Sequence, residues 1–214
     1  EISVIKKVKA GIIPTGDEMI TYEDKLEEDK IIDTNSWLFK NLVNKYYGEG
    51  KIYPITKDDP KALKAMINKA LAENDMVIIS AGSSAGRDDY TPSVIKELGE
   101  VYTHGVAIKP GKPVVLGRID NKPVIGLPGY PVSSYITFME FVVPVMKLLS
   151  GIEYEEYPEV KAILTKTLMS SLKYREYVRV KLGIVEDKLI ATPLKRGAGA
   201  SMSLVRADSF CVIP

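Results

Sequence analysis

The chain has 214 residues, with 29 lysines and arginines against 28 aspartates and glutamates, so its formal net charge is only +1. Such a balance creates no general field toward nucleic acid or an anionic membrane surface, and it disfavours both as partners. The single cysteine, Cys211, excludes an intrachain disulfide, and no uninterrupted apolar run approaches the roughly 18 residues that a membrane span needs. A cytoplasmic protein is therefore expected.

Strand and helix signals alternate along the chain as far as Gly151. Apolar runs bounded by turn residues predict strands at Val8 to Ile13, Ile52 to Ile55, Met76 to Ser80, Val101 to Ile108, Val114 to Arg118 and Val124 to Leu127. Apolar residues at helical spacing predict helices at Ser36 to Tyr47, from Pro60 through Leu71, at Thr91 to Leu98 and at Pro131 to Leu149. This alternation indicates an α/β fold with a doubly wound, mainly parallel sheet. Pro144 is expected to kink the last helix.

The pattern changes after Gly151. Only short strand-like runs follow, at Val160 to Thr165, Tyr174 to Leu182, Leu189 to Pro193 and Phe210 to Ile213, and they indicate a small, barrel-like all-β unit. The polar stretch before them closes on Pro158, and a proline favours extended backbone in the residue that precedes it. We therefore predict an α/β domain at 1–152, a linker at 153–158 and a β-domain at 159–214.

Four loops follow predicted strands of the first domain, and ligands of open α/β sheets bind at the carboxyl ends of the strands. The first loop is TGDE, Thr15 to Glu18, whose carboxylates could hold a hard divalent cation or form an ordinary turn with solvated acids. The second is SAGSSAGRDDYT, Ser80 to Thr91. Plain βα turns need only a few residues, so the length and glycine content of this loop indicate backbone N–H groups that cradle a phosphate.

The other two loops also suit an anion. KPGKP, Lys109 to Pro113, holds two ammonium groups on a loop that its prolines stiffen, although a surface turn with solvated lysines fits equally well. GLPGYPVS, Gly126 to Ser133, leads onto a helix start, where free N–H groups and the helix dipole favour negative charge.

In this order the segments resemble one family closely. The motifs TGDE, IDTNS at Ile32 to Ser36, DDP at Asp58 to Pro60, SAGSSAGRDDYT, AIKPGKP and GLPGYPVS are similar to those of the MoeA-type molybdopterin molybdenumtransferases, whose animal relative is the E domain of gephyrin. The C-terminal segment GAGASMSLVRADSFCVIP resembles the end of that family's β-barrel domain. The resemblance implies the last step of molybdenum cofactor synthesis: adenylylated molybdopterin binds, molybdate or tungstate supplies the metal to its dithiolene, and AMP is released with Mg²⁺.

The resemblance also implies roles for individual residues. It implies catalytic roles for Glu18, Asp58 and Asp89, and Mg²⁺ ligands in Asp17, Glu18 and Asp89. The residues that it places against molybdopterin or its adenylylated form are Thr15, Gly16, Asp33, Asn35, Ser36, Gly82, Ser83, Ser84, Gly86, Lys109, Lys112, Pro128, Gly129, Ser133, Arg175 and Ser201.

A homodimer is the assembly that the resemblance implies. The site would lie between the sheet domain of one subunit and the β-domain of the other, so Arg175 would reach the site of the partner subunit. Family members carry two further domains before the segment that matches Val8, and those domains help to form the dimer. This chain is therefore expected to dimerise weakly.

Two other readings stay open. One is an enzyme with the same sheet, either the molybdopterin adenylyltransferase or a pyrophosphatase of the competence/damage-inducible type, although the β-unit after Val160 and the DDP motif argue against both. The other is a scaffold without catalysis, because the related domain of gephyrin also holds receptor peptides.

Overall fold

A computed structural model describes residue 2 and residues 4–80, 90–153, 157–170, 173–195, 197 and 201–214. The strands in chain order are β1 Lys9–Pro14, β2 Met19–Ile20, β3 Ile31–Ile32, β4 Glu49–Ile52, β5 Met76–Ser80, β6 Glu100–His104, β7 Ile108–Lys109, β8 Val115–Ile119, β9 Lys122–Leu127, β10 Ile163–Leu164, β11 Arg175–Val185, β12 Lys188–Pro193 and β13 Ser209–Ile213. The helices are α1 Asn35–Lys45, α2 Pro60–Glu73, α3 Thr91–Leu98, α4 Pro131–Thr137, α5 Val143–Ser150 and α6 Met202–Arg206.

The first sheet has six strands in the order β4-β1-β5-β9-β8-β6. The first four are parallel, and β8 and β6 run antiparallel to their neighbours, which confirms the predicted mainly parallel sheet. The register aligns Pro14 with Ser80 and Ser80 with Leu127, so β1, β5 and β9 end at one edge of the sheet. We call this the carboxyl edge.

Alternate residues of the central strands face opposite sides of this sheet, as the 2-residue period of a strand requires. One face, under α1 and the long helix that includes α5, buries Ala10, Ile12, Met76, Ile78, Ile125 and Leu127. The other face, under α2 and α3, buries Ile13, Val77, Ile79, Val124 and Val115. Helices therefore cover both faces, which makes the sheet doubly wound and explains why its strands read as nearly continuous apolar runs.

Two predicted strands differ from the structure. The strand expected at Ile52 to Ile55 lies earlier, at Glu49–Ile52. The single strand expected at Val101 to Ile108 is divided into β6 and β7, because Gly105 adopts a φ of +89° and donates its N–H to the carbonyl of Val114. This turn takes the chain out of the first sheet.

The segment Pro131–Ser150 forms one long helical rod with a wide turn inside it. A π-helical turn at Phe138–Val142 lies directly before Pro144, where the missing N–H and the proline ring disturb the regular ladder. By length and composition this rod could cross a membrane, but half of its most apolar window is buried in the protein. Phe138, for example, stacks on Phe39 in the core. Its apolar composition is thus accounted for by core packing.

The strands after residue 160 form a separate sheet in the order β10-β12-β11-β13. Within the described residues none of them joins the first sheet, whereas β7 leaves the first unit to pair with β11. An all-β unit was expected here, but the unit also contains the helix α6. Leu204 of α6 packs against a cluster that contains Tyr177 and Phe210. The domain limits at 1–152, 153–158 and 159–214 stay a prediction, and residues 154–156 lie outside the described part of the chain.

Candidate functional site

The loop after β1 is anchored to its neighbours by its own backbone. The N–H and the Oγ1 of Thr15 both donate to the carbonyl of Ser80, at 3.0 and 3.2 Å, and the N–H of Gly16 donates to the carbonyl of Thr56 at 3.1 Å. These donors bind carbonyls of the protein itself, so Thr15 and Gly16 hold the loop after β1 in place at the carboxyl edge. Their predicted contacts with a ligand stay a prediction.

Gly16 is required by the conformation of this loop. Its φ is +138°, and a Cβ at this position would lie 2.7 Å from Oε2 of Glu18 and 2.8 Å from Cγ of Met19. Residues other than glycine rarely adopt this φ, and the neighbouring atoms leave no space for a Cβ. The carboxylate of Glu18 therefore folds back over the glycine.

Asp17 and Asp58 lie side by side although 41 residues separate them. The N–H of Asp17 donates to Oδ2 of Asp58 at 3.4 Å, and the N–H of Asp58 donates to Oδ1 of Asp17 at the same distance. The neighbouring Asp59 instead caps α2, where its Oδ2 accepts the N–H of Ala62 at 2.7 Å. The DDP motif is thus divided into an acid at the carboxyl edge and an acid with a structural role.

The start of α1 is connected to the loop after β9. Nδ2 of Asn35 donates to the carbonyl of Gly129 at 2.7 Å, and Oδ1 of Asp33 accepts the N–H of Ser36 at 3.0 Å. All three predicted residues of the IDTNS motif are buried, and Oγ of Ser36 has no hydrogen-bond partner in the part of the chain that the structure describes. The side chains of Asp33 and Asn35 therefore stabilise the loops, and their contact with substrate stays a prediction.

The turn at Pro128 and Gly129 follows β9 and leads into α4. Its helix start has no side-chain cap, and Tyr130 at the preceding position is half exposed. Ser133 is buried, and its carbonyl accepts Oγ1 of Thr137 at 2.9 Å. The predicted roles of Pro128, Gly129 and Ser133 are compatible with this position at the carboxyl edge, and they stay predictions.

The loop from Lys109 to Pro113, which we call the lysine loop, lies between β6 and β8, at the end of β8 that faces the carboxyl edge. The N–H of Val106 donates to the carbonyl of Lys112 at 2.9 Å and closes the loop. Gly111 has a φ of +122°, and a Cβ there would lie 2.8 Å from Cγ2 of Thr137 on α4. The loop is therefore packed tightly against the first unit, and Lys112 extends from it into solvent.

Lys109 connects this loop to the second sheet. Its Nζ lies 3.3 Å from Oε1 of Glu176, whose side chain is only 4% exposed. In the parallel pair of β7 and β11, Lys109 lies opposite Glu176, and the N–H of Arg175 donates to the carbonyl of Ala107 at 2.9 Å. Glu176 was not among the residues predicted from the sequence. A signal for it existed, since Glu176 is an acid inside an otherwise strongly β-forming run.

Arg175 is exposed, and its guanidinium lies 5.8 Å from the ring centre of Tyr177. Its backbone pairs with the lysine loop of its own chain, and its predicted reach into a partner subunit stays a prediction. Ser201 is exposed and directly precedes α6. Both residues belong to the second unit, so the pairing of β7 with β11 connects that unit to the carboxyl edge.

Arg179 is a second residue that the sequence reasoning missed. Only 3% of its surface is exposed, and burial lowers the pKa of its guanidinium. Its N–H groups donate to the carbonyls of Lys195 and Gly197 and to Oγ of Ser203, at 3.2, 3.0 and 2.8 Å. No carboxylate of the described residues lies within salt-bridge distance. Arg179 therefore connects Lys195 and Gly197 to Ser203 of α6 by hydrogen bonds to neutral groups.

Several predicted residues lie outside the described part of the chain, namely Gly82, Ser83, Ser84, Gly86 and Asp89. Within the described residues, no group of three or more His, Cys, Asp or Glu side chains could hold a metal ion. The predicted Mg²⁺ ligands Asp17, Glu18 and Asp89 include one of the undescribed residues, so that set stays a prediction.

Residues 11–148 match the family described as "Probable molybdopterin binding domain", and residues 161–214 match the family described as "MoeA C-terminal region (domain IV)". A protein of Methanocaldococcus jannaschii named for molybdopterin biosynthesis is 38% identical over 98% of this chain and 53% of its own length. The molybdopterin molybdenumtransferase of Haemophilus influenzae is 34% identical over 78% of this chain and 42% of its own length.

Half of the crystal structure of the MoeA protein of Pyrococcus horikoshii is similar to nearly the whole of this chain. It superposes with a TM-score of 0.83 at 39% identity, and the match covers 97% of this chain and 50% of that one. The chain spans about half the length of the curated relatives that it matches. The two family matches follow each other along the chain and agree with the two sheets, and on this evidence the chain belongs to the MoeA family of molybdopterin biosynthesis proteins.

Proposed function

We propose that this chain acts in molybdenum cofactor biosynthesis as the ligand-binding part of a molybdopterin molybdenumtransferase. It binds adenylylated molybdopterin, allows molybdate or tungstate to enter the dithiolene and releases AMP. One observation carries this proposal: the acids Asp17 and Asp58 and the loop of Lys109 and Lys112 lie at one edge of the sheet, in a chain of a molybdopterin-binding family. Positive and negative groups at one edge suit a ligand with phosphate charge and a divalent cation.

The lysines and the loop backbones bind the phosphate groups. Lys109 is 58% exposed and Lys112 is exposed, so both ammonium groups are accessible to a ligand. Each charge-assisted hydrogen bond contributes about 1.5 to 3 kcal/mol. Three or four such bonds are enough for micromolar affinity after the cost of association.

The acids at the carboxyl edge suit a hard cation. Asp17, Glu18 and Asp89 would hold Mg²⁺, because carboxylate oxygens are the ligands that this ion prefers beside phosphate oxygens. The two described members of the set agree with this donor chemistry, since Asp17 and Glu18 are adjacent on a loop that hydrogen bonds fix in place. When bound, the cation supplies positive charge against the diphosphate.

Hydrolysis of the diphosphate requires an oriented water molecule. The oxygen of that water forms a bond to one of the two phosphorus atoms while the bond from that phosphorus to the bridging oxygen breaks. The products are AMP and molybdopterin, each with one phosphate, and the bridging oxygen stays with the phosphate that was not attacked. The carboxylate of Asp58 accepts the proton of the water. Asp58 is positioned for this role because its backbone and its carboxylate are both held by Asp17.

The assembly and the location are also proposed. Residues from both sheets contribute to the predicted site, and a two-fold homodimer would build two equivalent sites from two self-complementary surfaces. The single cysteine, which fits a reducing compartment, and a metabolic substrate support the cytoplasm as the place of action.

AMP release tests the proposal. The protein is incubated with adenylylated molybdopterin, molybdate and Mg²⁺, and AMP is quantified by chromatography; we expect release that depends on the protein, on molybdate and on Mg²⁺. In the full-length protein, Asp89→Asn should fold normally and lose the Mg²⁺-dependent turnover, because the amide lacks the charge that a hard cation needs. Competition between molybdate and tungstate identifies the metal donor.

The same assay separates the alternatives. An adenylyltransferase would consume ATP and molybdopterin to form the adenylylated pterin, and a pyrophosphatase would release AMP without molybdate. A scaffold would bind ligand without turnover. Any of these results would contradict the proposed reaction.

A further inference from the structure

Glu176 is a buried acid on a strand that borders the predicted site. Its side chain is 4% exposed, although a carboxylate in the protein interior loses its hydration. Burial of this kind persists only where a positive group or strong hydrogen bonds compensate it. Nζ of Lys109, 3.3 Å from Oε1 of Glu176, is such a group.

The backbone fixes both partners of this ion pair. Glu176 lies opposite Lys109 in the parallel pair of β7 and β11, and the hydrogen bond from Arg175 to Ala107 holds the strands in this register. Ile108, between Ala107 and Lys109, packs with Tyr177 and with Val132 and Ile136 of α4. The backbone positions from which the side chains of Lys109 and Glu176 extend are therefore fixed relative to each other.

The geometry leaves Lys109 able to bind a second anion. An ammonium has three N–H donors, and the contact with one oxygen of Glu176 does not use all of them. The lysine is 58% exposed, whereas its acidic partner is almost fully buried. Only the lysine of this ion pair is accessible to a ligand from solvent. The contact with Glu176 favours one rotamer of that lysine before a ligand binds.

A second pair on β11 shows the contrast. Lys181 and Asp208 lie 2.7 Å apart, but both side chains are exposed, by 57% and 36%. An exposed pair of this kind restricts its lysine little and contributes little energy. Because both pairs involve β11, Lys181 and Asp208 provide matched controls.

We propose that Glu176 is a positioning residue that preorients the Lys109 ammonium for the phosphate of molybdopterin, an inference that rests on the proposed function. The buried carboxylate selects one lysine rotamer before the ligand arrives. The ligand then loses less binding free energy to the ordering of a long, flexible side chain. Glu176 itself does not touch the ligand.

A double-mutant cycle tests this role. Binding of molybdopterin is measured by anaerobic calorimetry for the wild type, Glu176→Gln, Lys109→Met and the double variant, with thermal melts of each. We expect a dissociation constant about three- to tenfold higher for Glu176→Gln and more than tenfold higher for Lys109→Met. The double variant should bind within about twofold of Lys109→Met, because Glu176 acts through the lysine.

The exposed ion pair of Lys181 and Asp208 provides the control variants. Asp208→Asn and Lys181→Met make the same chemical changes at the exposed pair and should leave the dissociation constant unchanged. Unchanged or tighter binding by Glu176→Gln beside weaker binding by Lys109→Met would overturn the inference alone, as would a further loss in the double variant. A wild type that does not bind molybdopterin would overturn the proposed function and this inference with it.

A second variant covers the case in which Glu176→Gln does not fold. Glu176→Asp keeps the charge but withdraws the carboxylate by one methylene, so it should raise the dissociation constant by less than Lys109→Met does. A value equal to the wild type in Glu176→Asp would count against positioning by Glu176.

Discussion

The backbone N–H of Asp17 donates to Oδ2 of Asp58, and the backbone N–H of Asp58 donates to Oδ1 of Asp17. The donor–acceptor distance is 3.4 Å in both hydrogen bonds. The two acids therefore hold each other at the carboxyl edge. Asp59, the next residue, takes no part in this exchange because it caps α2.

Asp58→Asn should lower kcat/KM for AMP release about 100-fold or more, since the amide cannot accept the proton of the attacking water. Asp59→Asn is the matched control. Asparagine caps a helix as well as aspartate does, so this variant should keep both stability and activity. Equal losses in the two variants would show that the motif acts only through folding.

Gly16→Ala should destabilise the protein by about 1 to 3 kcal/mol, because the alanine must adopt a strained φ and displace the carboxylate of Glu18. Thermal and urea unfolding measure this loss, and AMP release should fall with the displacement of Glu18. Gly183→Ala is the control: a Cβ there meets nothing within 4 Å. We expect Gly183→Ala to be neutral or slightly stabilising.

Arg179→Met should lower the free energy of unfolding by about 2 to 4 kcal/mol, because Lys195, Gly197 and Ser203 lose their buried donor. Arg118→Met is the control, since Arg118 pairs with Glu100 on the exposed surface. That variant should change stability by no more than about 0.5 kcal/mol. Similar unfolding midpoints for the two variants would contradict the structural role of Arg179.

Acid should remove a stabilising contact at Glu73. Hydrogen bonds from Lys51 and from the hydroxyl of Tyr53 lower the pKa of this carboxyl. A carboxyl with a lowered pKa stabilises the folded state above its ordinary pKa and loses that contribution as the pH falls through the folded value. The difference in Tm between the wild type and Glu73→Gln should thus be constant near pH 6 to 7 and shrink below about pH 5. A difference independent of pH from 3 to 7 would refute this.

Mixed dimers test the predicted assembly. Asp89→Asn and Arg175→Ala are each expected to be inactive as full-length proteins. If each site uses Asp89 from one subunit and Arg175 from the other, a mixed dimer regains one intact site and up to half of the wild-type activity. No recovery after verified subunit exchange would assign Arg175 to the site of its own chain, next to the lysine loop that its backbone already contacts.

Local patterns in the sequence determined the alternation of strands and helices and the loops that follow β1 and β9. Apolar runs such as Met76–Ser80 and helix starts such as Asp59-Pro60 encode their structure within a few residues, so they can be recognised without a partner. Strand limits were less accurate. The turn at Gly105 depends on its bond to Val114, which no local pattern reports.

Only the tertiary structure decided which acids and lysines meet. Asp17 contacts Asp58 across 41 positions, and Lys109 contacts Glu176 because β7 leaves one sheet and pairs with β11 of the other. A shift of one residue in that register would point Glu176 to the opposite face. The types of residue in this site could therefore be read from the sequence, but their pairing depends on strand register and on burial, which arise only when distant segments pack together.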